Sequence, residues 1–423
     1  MTNQQDAPGP TRRRLLGGAG LATAAVLAGA ARSARAAATV KVGYVSPQTG
    51  PLAPFAAADA FTLAAAKAAF ARDGIAVEFL VRDSQSNPNR AATVANELIN
   101  AGVVLMLVAS TPETVNPVSD QCELAEVPCL STEAPWQPWF FGRGGKPGEG
   151  FEWTYHYFWG LEDVIAVYTA MWSQLSTNKS VGGLFPNDSD GNAWSDTAHG
   201  LPPALAKLGY TMHDPGHFQS GTDDFGAIIN AFKSAKAEIV TGVVIPPDWT
   251  TFWTQARQQG YRPKIASVGK ALLFPTSVEA LGRAGQNLST EVWWTPHHPF
   301  RSSLTGQDCT ALAAAYTKAT GQPWTQPIGF THSLFELAAD ILKRAKDRGD
   351  RHAVLEALKT TNLSTIVGPI AWGKGPMKNV TKTPLVGGQW RLLPGSELKY
   401  YLVIVSNTIA PEVPVADHMQ PLP

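Results

Sequence analysis

Past residue 38 the chain alternates short β-branched runs with longer helical patterns, and this rhythm limits the fold more than any other feature. Val40–Val45 reads as a strand, and Pro54–Arg72 as an Ala-rich helix stopped at Asp73-Gly74. Val77–Val81 is a second strand, after which Pro88 opens a helix reaching Asn100-Ala101-Gly102. Val103–Val108 is a nearly continuous apolar run, the pattern of a parallel strand covered on both faces. Pro112–Ala125 and Val127–Leu130 supply the next helix and strand. Repeated βαβ units predict a parallel sheet with right-handed crossovers.

Gly142-Arg143-Gly144-Gly145-Lys146-Pro147-Gly148 interrupts the rhythm, and an aromatic stretch, Phe151 to Trp159, follows. The alternation then restarts. Lys179–Phe185, Glu238–Ile245 and Lys264–Val268 read as strands, with helices at Gly191–Leu208, Asp223–Ala235, Trp249–Gln259 and Leu273–Leu281. Two similar α/β units therefore stand in tandem. From Glu291 the pattern changes again: Trp293-Trp294-Thr295-Pro296-His297-His298-Pro299 behaves as a crossing segment. Helices at Ala311–Thr320, His332–Lys346 and Arg351–Lys359 precede a Gly/Pro-rich tail.

The first 38 residues read as an address. Thr11-Arg12-Arg13-Arg14-Leu15-Leu16 leads into an Ala/Leu/Gly run, then Ala34-Arg35-Ala36-Ala37-Ala38. A basic segment, a modestly apolar segment and small residues at a cleavage point make an export signal, and the paired arginines resemble the twin-arginine type. Residues 1–38 are thus expected to be a signal peptide, cleaved after Ala36 or Ala38, and the mature chain to be periplasmic without inserting in the membrane. The leader takes five basic groups and one acid with it, leaving 29 basic against 33 acidic groups. A mildly acidic body argues against a sequence-independent grip on nucleic acid, which needs a basic face.

Enzyme and metal signatures are missing from the sequence. It holds no Gly-x-Ser-x-Gly elbow, no phosphate-binding Gly-x-x-x-x-Gly-Lys-Ser/Thr loop, no Cys-x-x-Cys and no His-Glu-x-x-His. No catalytic residue, metal or cofactor is expected. Of the three cysteines, Cys122 and Cys129 flank a helix end and a strand start. They form either a disulfide, which an oxidising compartment permits, or two buried thiols.

Lys41-Val42-Gly43-Tyr44-Val45-Ser46-Pro47-Gln48-Thr49-Gly50-Pro51-Leu52-Ala53 resembles the opening strand and Thr-Gly-Pro loop of type I periplasmic binding proteins. The similarity is greatest to the branched-chain amino acid (leucine/isoleucine/valine-binding) group of ABC-importer receptors. Arg82-Asp83-Ser84-Gln85-Ser86-Asn87-Pro88 resembles that family's strand-end Asp and Pro-started helix. Thr361–Trp372, with Val367-Gly368-Pro369-Ile370, resembles its late crossing segment. The resemblance implies two doubly wound parallel-sheet α/β lobes joined by three crossovers and closing on a ligand by a hinge. Lobe 1 is then expected at 39–157 with 294–365, and lobe 2 at 158–293 with 366–423. It further implies a monomer that captures a small molecule and hands it to an ABC permease of the inner membrane. A ligand-presenting sensor is the alternative, and a hydrolase on the same scaffold a weaker one.

Ligands of open parallel sheets bind beyond the carboxyl ends of the strands. Ser46 and Gln48 follow the first strand, Ser110 and Thr111 follow Val103–Val108, and Glu133, Ala134 and Trp136 follow Val127–Leu130. In the second unit Asp190 with Trp194, Asp248 and Lys270 hold the corresponding places. The resemblance implies that Ser110 and Thr111 hold a ligand carboxylate; helix capping alone is the other reading. Two positions depart from the family. Glu133-Ala134-Pro135 stands where relatives have Ala-Ala-Thr, and Lys270 where they commonly carry the Glu that holds a ligand ammonium. A cation there would repel an ammonium. Lys270 is expected to pair with Glu133 across the cleft, to bind a ligand carboxylate, or to stay solvated. Together with Trp136 and Trp194 as pocket walls, this favours a carboxylate-bearing, aromatic or amino-acid-like ligand.

Replacing Arg12 and Arg13 together by Lys should leave uncleaved precursor in the cytoplasm, detectable by fractionation and immunoblotting. Normal accumulation of the mature chain outside the cytoplasm would refute the twin-arginine assignment.

Overall fold

Strands of the first α/β unit lie in the order β2-β1-β3-β4-β5, all parallel: β1 (Val40–Ser46), β2 (Val77–Asp83), β3 (Leu105–Ala109), β4 (Cys129–Thr132) and β5 (Thr154–Tyr157). The second unit repeats that order as β7-β6-β8-β9-β10, with β6 (Ser180–Leu184), β7 (Thr211–His213), β8 (Ile239–Val244), β9 (Ile265–Lys270) and β10 (Ser289–Val292). The architecture is thus the two-lobed parallel α/β fold that the alternation predicts. This computed structural model describes residues 39–396 and 398–423, so the leader read at 1–38 lies outside the described residues.

Helices cover both faces of the first sheet. Ala91, Val94, Ala95 and Leu98 of helix Pro88–Asn100 share one core with Val45, Met106 and Val108. Phe70 of helix Asp59–Arg72 and Leu334 and Phe335 of helix Pro327–Arg344 share another with Tyr44, Leu105 and Leu107. This two-sided cover explains why all five residues of β3 are buried.

The chain passes between the sheets after Tyr157, after Val292, and between Thr381 and Val386. The last of these corrects the expected boundary at 365/366. Thr361–Trp372 does not cross; most of it folds back as a hairpin of β11 (Asn362–Thr365) and β12 (Gly368–Ala371). Gly368 has φ +105°, and Thr365 Oγ1 donates to the Gly368 carbonyl at 2.7 Å, which locks the reversal. β13 (Val380–Thr381) then pairs with β5 at the edge of the first sheet. Only β14 (Val386–Leu392) and β15 (Tyr400–Ser406) belong to the second, added antiparallel beside β10.

The helix expected at Gly191–Leu208 is two helices, Ser189–Ser195 and Leu201–Lys207. Pro202 and Pro203 cannot sit inside a helix and take its first turn instead. Asp196 holds the break by accepting from the Ala198 and His199 N–H groups. The long helix read from His332 begins at Pro327, another N-terminal proline. Cys122 and Cys129 are buried thiols with no bridge between them. Burial, with Cys129 beside it, pushes the Cys122 thiol well up.

Glu336 ties together the segment after the second crossing. Its carboxylate accepts from the Ser303 N–H and hydroxyl and from the Ile366 N–H at 2.9 Å, so one buried side chain joins a loop, the long helix and the hairpin. Burial pushes its pKa up to about 7. Glu336→Ala strands the buried Ile366 N–H, leaves the exposed Ser303 N–H to water, and should cost about 1–3 kcal/mol in urea unfolding. A folded-state pKa raised above the unfolded one gives stability that is full at low pH and lost as pH rises through about 7. Wild type should therefore lose stability relative to Glu336→Gln between about pH 4.5 and 7; a constant difference across that window would contradict this.

Candidate functional site

The carboxyl ends of the two sheets bring the strand-end residues together at the lobe junction. In the first lobe Ala109 pairs with Thr132, which sets Ser110 beside Glu133, and β1 ends alongside at Ser46. In the second lobe β9 ends at Lys270 beside β10, with Glu291 near its end. Glu133 has φ +72° and Lys270 φ +63°. A left-handed conformation is uncommon for a residue with a Cβ and costs about 1–3 kcal/mol, and such residues cluster at functional sites. Here two stand at matching strand ends of the two lobes.

Lys270 is the centre of a buried ion cluster. Its Nζ is bonded to Asp190 Oδ2, and lies 3.9 Å from Glu113 Oε2 and 4.0 Å from Asp188 Oδ2. Burial opposes the ammonium charge, but Asp190, Asp188 and Glu113 outweigh it and hold Lys270 above its ordinary pKa. Glu113, in the first turn of helix Pro112–Leu124, also accepts from the Ser189 N–H at 3.0 Å. One first-lobe carboxylate thus bridges two points of the second lobe. Burial alone would push Glu113 up; Lys270 and the Thr111 hydroxyl bring it below the ordinary carboxylate range.

This overturns the expected pairing of Lys270 with Glu133. Asp190, fully buried in the first turn of its helix, comes within bonding distance of Lys270, whereas the charge that acts on Glu133 is Asp59. Nor is Lys270 solvated or free for a ligand carboxylate, since three carboxylates already surround it. Asp188 caps the same helix, accepting from the Gly191 N–H at 2.7 Å.

Glu133 is 3% exposed, and neither carboxyl oxygen has a hydrogen-bond partner among the described residues. Burial, and secondarily Asp59, pushes its pKa well above the usual range. Asp59 itself is engaged: Tyr44 Oη donates to Oδ1 at 2.8 Å and Ser46 Oγ to Oδ2 at 2.5 Å. Ser46 therefore orients an acid. Ser110 Oγ is buried without a partner. Gln48 is exposed in the loop whose next residue, Thr49, donates to Asp83. Asp248 is buried and accepts from the Gly221 N–H at 2.9 Å.

The loop that carries Glu133 is held from behind. His156 Nε2 faces the Ala134 carbonyl at 2.7 Å and Nδ1 faces Ser131 Oγ at 2.8 Å. Burial pushes this imidazole down to about 3, so it is neutral and donates through Nε2. Trp139 stacks on it at 4.7 Å and Arg143 lies over Trp139 at 4.7 Å, completing a cation–ring–ring stack beneath the loop.

Aromatic side chains from both lobes meet at the junction. Phe55 of the first lobe lies edge-on to Phe274 of the second at 5.2 Å and 6.2 Å from Trp293 on the second crossing. Phe158 on the first crossing touches Trp293 at 4.8 Å and Phe330 at 5.0 Å, and Phe330 stacks on Tyr157. Trp194 packs where Gly269 leaves room, since a Cβ there would come within 3.2 Å of its ring. Trp136 donates to Glu162 at 3.1 Å and lines a groove of about 760 Å³ with Leu161, Asn192 and His199.

The sequence reading missed Asp59, Glu113 and Glu291. Glu291 accepts from Tyr168 Oη at 2.6 Å and from the Lys270 N–H at 3.1 Å, which helps fix the Lys270 backbone. An acid inside an otherwise apolar or Ala-rich run was the available signal for Asp59 and Glu291.

The sequence profile described as periplasmic binding protein matches residues 39–391. The chain belongs to that family. As a periplasmic binding protein it is a non-catalytic, exported solute-binding receptor with the type I fold. It is similar to a leucine-binding protein from Thermotoga maritima, at 18% identity and TM-score 0.70 over 88% of this chain and 99% of that one. A type 1 periplasmic binding protein from Bordetella pertussis aligns at 17% identity and TM-score 0.71, covering 87% and 100%. A Rhodopseudomonas palustris solute-binding protein in complex with 3,4-dihydroxybenzoic acid aligns at 17% and 0.67, covering 87% and 98%. A search of curated proteins finds no match.

Lys270→Met leaves the buried Asp190 and the partly buried Glu113 and Asp188 without their cation, and this binding protein should lose about 3–5 kcal/mol in chemical denaturation. In double-mutant cycles Lys270 and Asp190 should couple strongly, whereas Lys270 and Glu133 should add within about 0.5 kcal/mol. Strong Lys270–Glu133 coupling would refute this assignment.

Proposed function

We propose that the chain is exported through the twin-arginine route and captures a small amino-acid-like or aromatic solute between its lobes for delivery to an ABC importer. The observation that carries the reading is the wall of Phe55, Phe158, Trp293 and Phe274, supplied by both lobes and two crossings, beside strand-end groups that have no partner in the protein. Aromatic faces give a flat or bulky apolar body a large contact area, and a few polar groups set its orientation. The Nε1 groups of Trp159 and Trp293 and the Ser110 hydroxyl are buried donors of this kind. Ser110, Glu133 and Trp293 are the residues we assign to contact; Lys270, Asp190 and Glu113 join the lobes around them. Relatives of the same fold span this range, since their descriptions name leucine, isoleucine, 3,4-dihydroxybenzoic acid and 4-hydroxybenzoate.

Native mass spectrometry of protein purified from the periplasm should reveal a small co-purifying compound. Adding that compound to stripped protein should shift tryptophan fluorescence, because Trp159 and Trp293 stand at crossings, and should reduce the radius of gyration in small-angle scattering. A saturating compound that changes neither observable would remove the hinged-capture reading.

A further inference from the structure

We propose that the solute carries an organic cation, an ammonium or related group, and that Glu133 of the first lobe is its partner. The inference rests on the receptor reading above and names the chemistry of its ligand. Glu133 has both oxygens unpartnered at 3% exposure. A buried carboxylate needs a counter-charge or hydrogen bonds, because desolvation of an isolated ion is costly. Its own surroundings offer neither. The ionisable groups that face it are Asp59 from helix Asp59–Arg72, Tyr44 from β1 and Tyr157 from β5, all acids. Tyr44 Oη is committed to Asp59 and Tyr157 Oη to Ser333, so neither hydroxyl is directed to Glu133.

The cation of the junction is spoken for. Lys270 sits among Asp190, Asp188 and Glu113, and these three carboxylates already exceed its single charge. With Asp59, Glu133 and Glu291 added, six acids and one lysine stand at or beside the strand ends. An anionic solute would enter against that field, and a cationic one would be drawn by it. Tyr157 stacks on Phe330, which meets Phe158 and Trp293, so the aromatic wall begins beside Glu133. Ring faces attract cations electrostatically, and an acid next to rings is a suitable host for an ammonium with an apolar body.

The left-handed backbone of Glu133 is a second, independent observation. A Gly would meet the turn without strain, yet an acid occupies it, with His156, Trp139 and Arg143 stacked beneath to hold the loop. The unpartnered acid is on the first lobe and the lysine of the second is engaged, so the ligand's cationic end should face the first lobe.

Three probes with one apolar body separate the possibilities: phenethylammonium, 3-phenylpropanoate and L-phenylalanine, measured by calorimetry, with a wider panel of alkyl- and arylalkyl-ammonium ions beside the matching carboxylates. Ammonium ions should bind and the corresponding carboxylates should not. Glu133→Gln should weaken ammonium binding by about thirtyfold or more, the loss usual for truncating one partner of a buried charge pair. The Gln variant keeps the shape of the loop, and its melting temperature and circular dichroism verify folding; Asp59→Asn serves as a second variant, predicted to change affinity less. Wild-type affinity should rise with pH as Glu133 ionises, and that rise should vanish in Glu133→Gln. If carboxylates or neutral compounds close the protein while no ammonium binds, the receptor reading stands and the cation assignment is overturned. Unchanged ammonium affinity in Glu133→Gln also overturns it. If no compound, including whatever co-purifies, changes scattering or fluorescence, the receptor reading itself has failed.

Discussion

One ammonium group, Lys270 Nζ, is taken out of water and set among carboxylates from both lobes. Much of the junction follows from that. Glu113 reaches across to Lys270 and to the Ser189 N–H, so the lobes share an ion cluster as well as an apolar contact. A buried pair of this kind is weak evidence for stability, since desolvation offsets most of the attraction, but removing one member is expensive. It therefore acts chiefly as a register. It fixes which strand ends face one another, and so which residues are left to meet a solute.

In the capture we propose, closure has two contributions. Solute bridging the strand ends supplies one, and the Glu113 contacts supply the other without any solute. The second depends on charge, so the balance between open and closed forms should respond to pH through Asp188 and Asp190, which burial raises, and Glu113, which Lys270 lowers against burial. The aromatic contact of Phe55 with Phe274 adds an apolar term that salt does not screen.

The architecture was legible because its signal is periodic. Apolar runs such as Val103–Val108 and proline-opened helices such as Pro88–Asn100 announce parallel strands and their crossovers in the sequence itself. Breaks were harder. Pro202-Pro203 split a helix whose flanking pattern looked continuous, and the Thr361–Trp372 segment reads as a crossing until the positive φ of Gly368 turns it into a hairpin. Position after a strand was enough to expect Ser110, Glu133 and Lys270 at the carboxyl ends of their strands, where they stand. Pairing was not legible. Which of several acids reaches Lys270 depends on a helix turn in each lobe, and sequence order carries no distance between Glu113 and Asp190. Asp59 and Glu291 escaped notice for a related reason: they lie inside elements, where an acid reads as surface until packing shows it covered.

The crossing between Thr381 and Val386 has a consequence for the order in which the molecule can be made. A ribosome releases the chain from its amino end, and β13, the last strand of the first sheet, emerges only at Val380. The second sheet must wait longer, for β14 and β15, which end at Ser406. The edge strand of the first sheet is thus made only after all five parallel strands of the second, so the usual sequence of one domain finishing while the next is translated is closed to this protein. The two lobes must mature together.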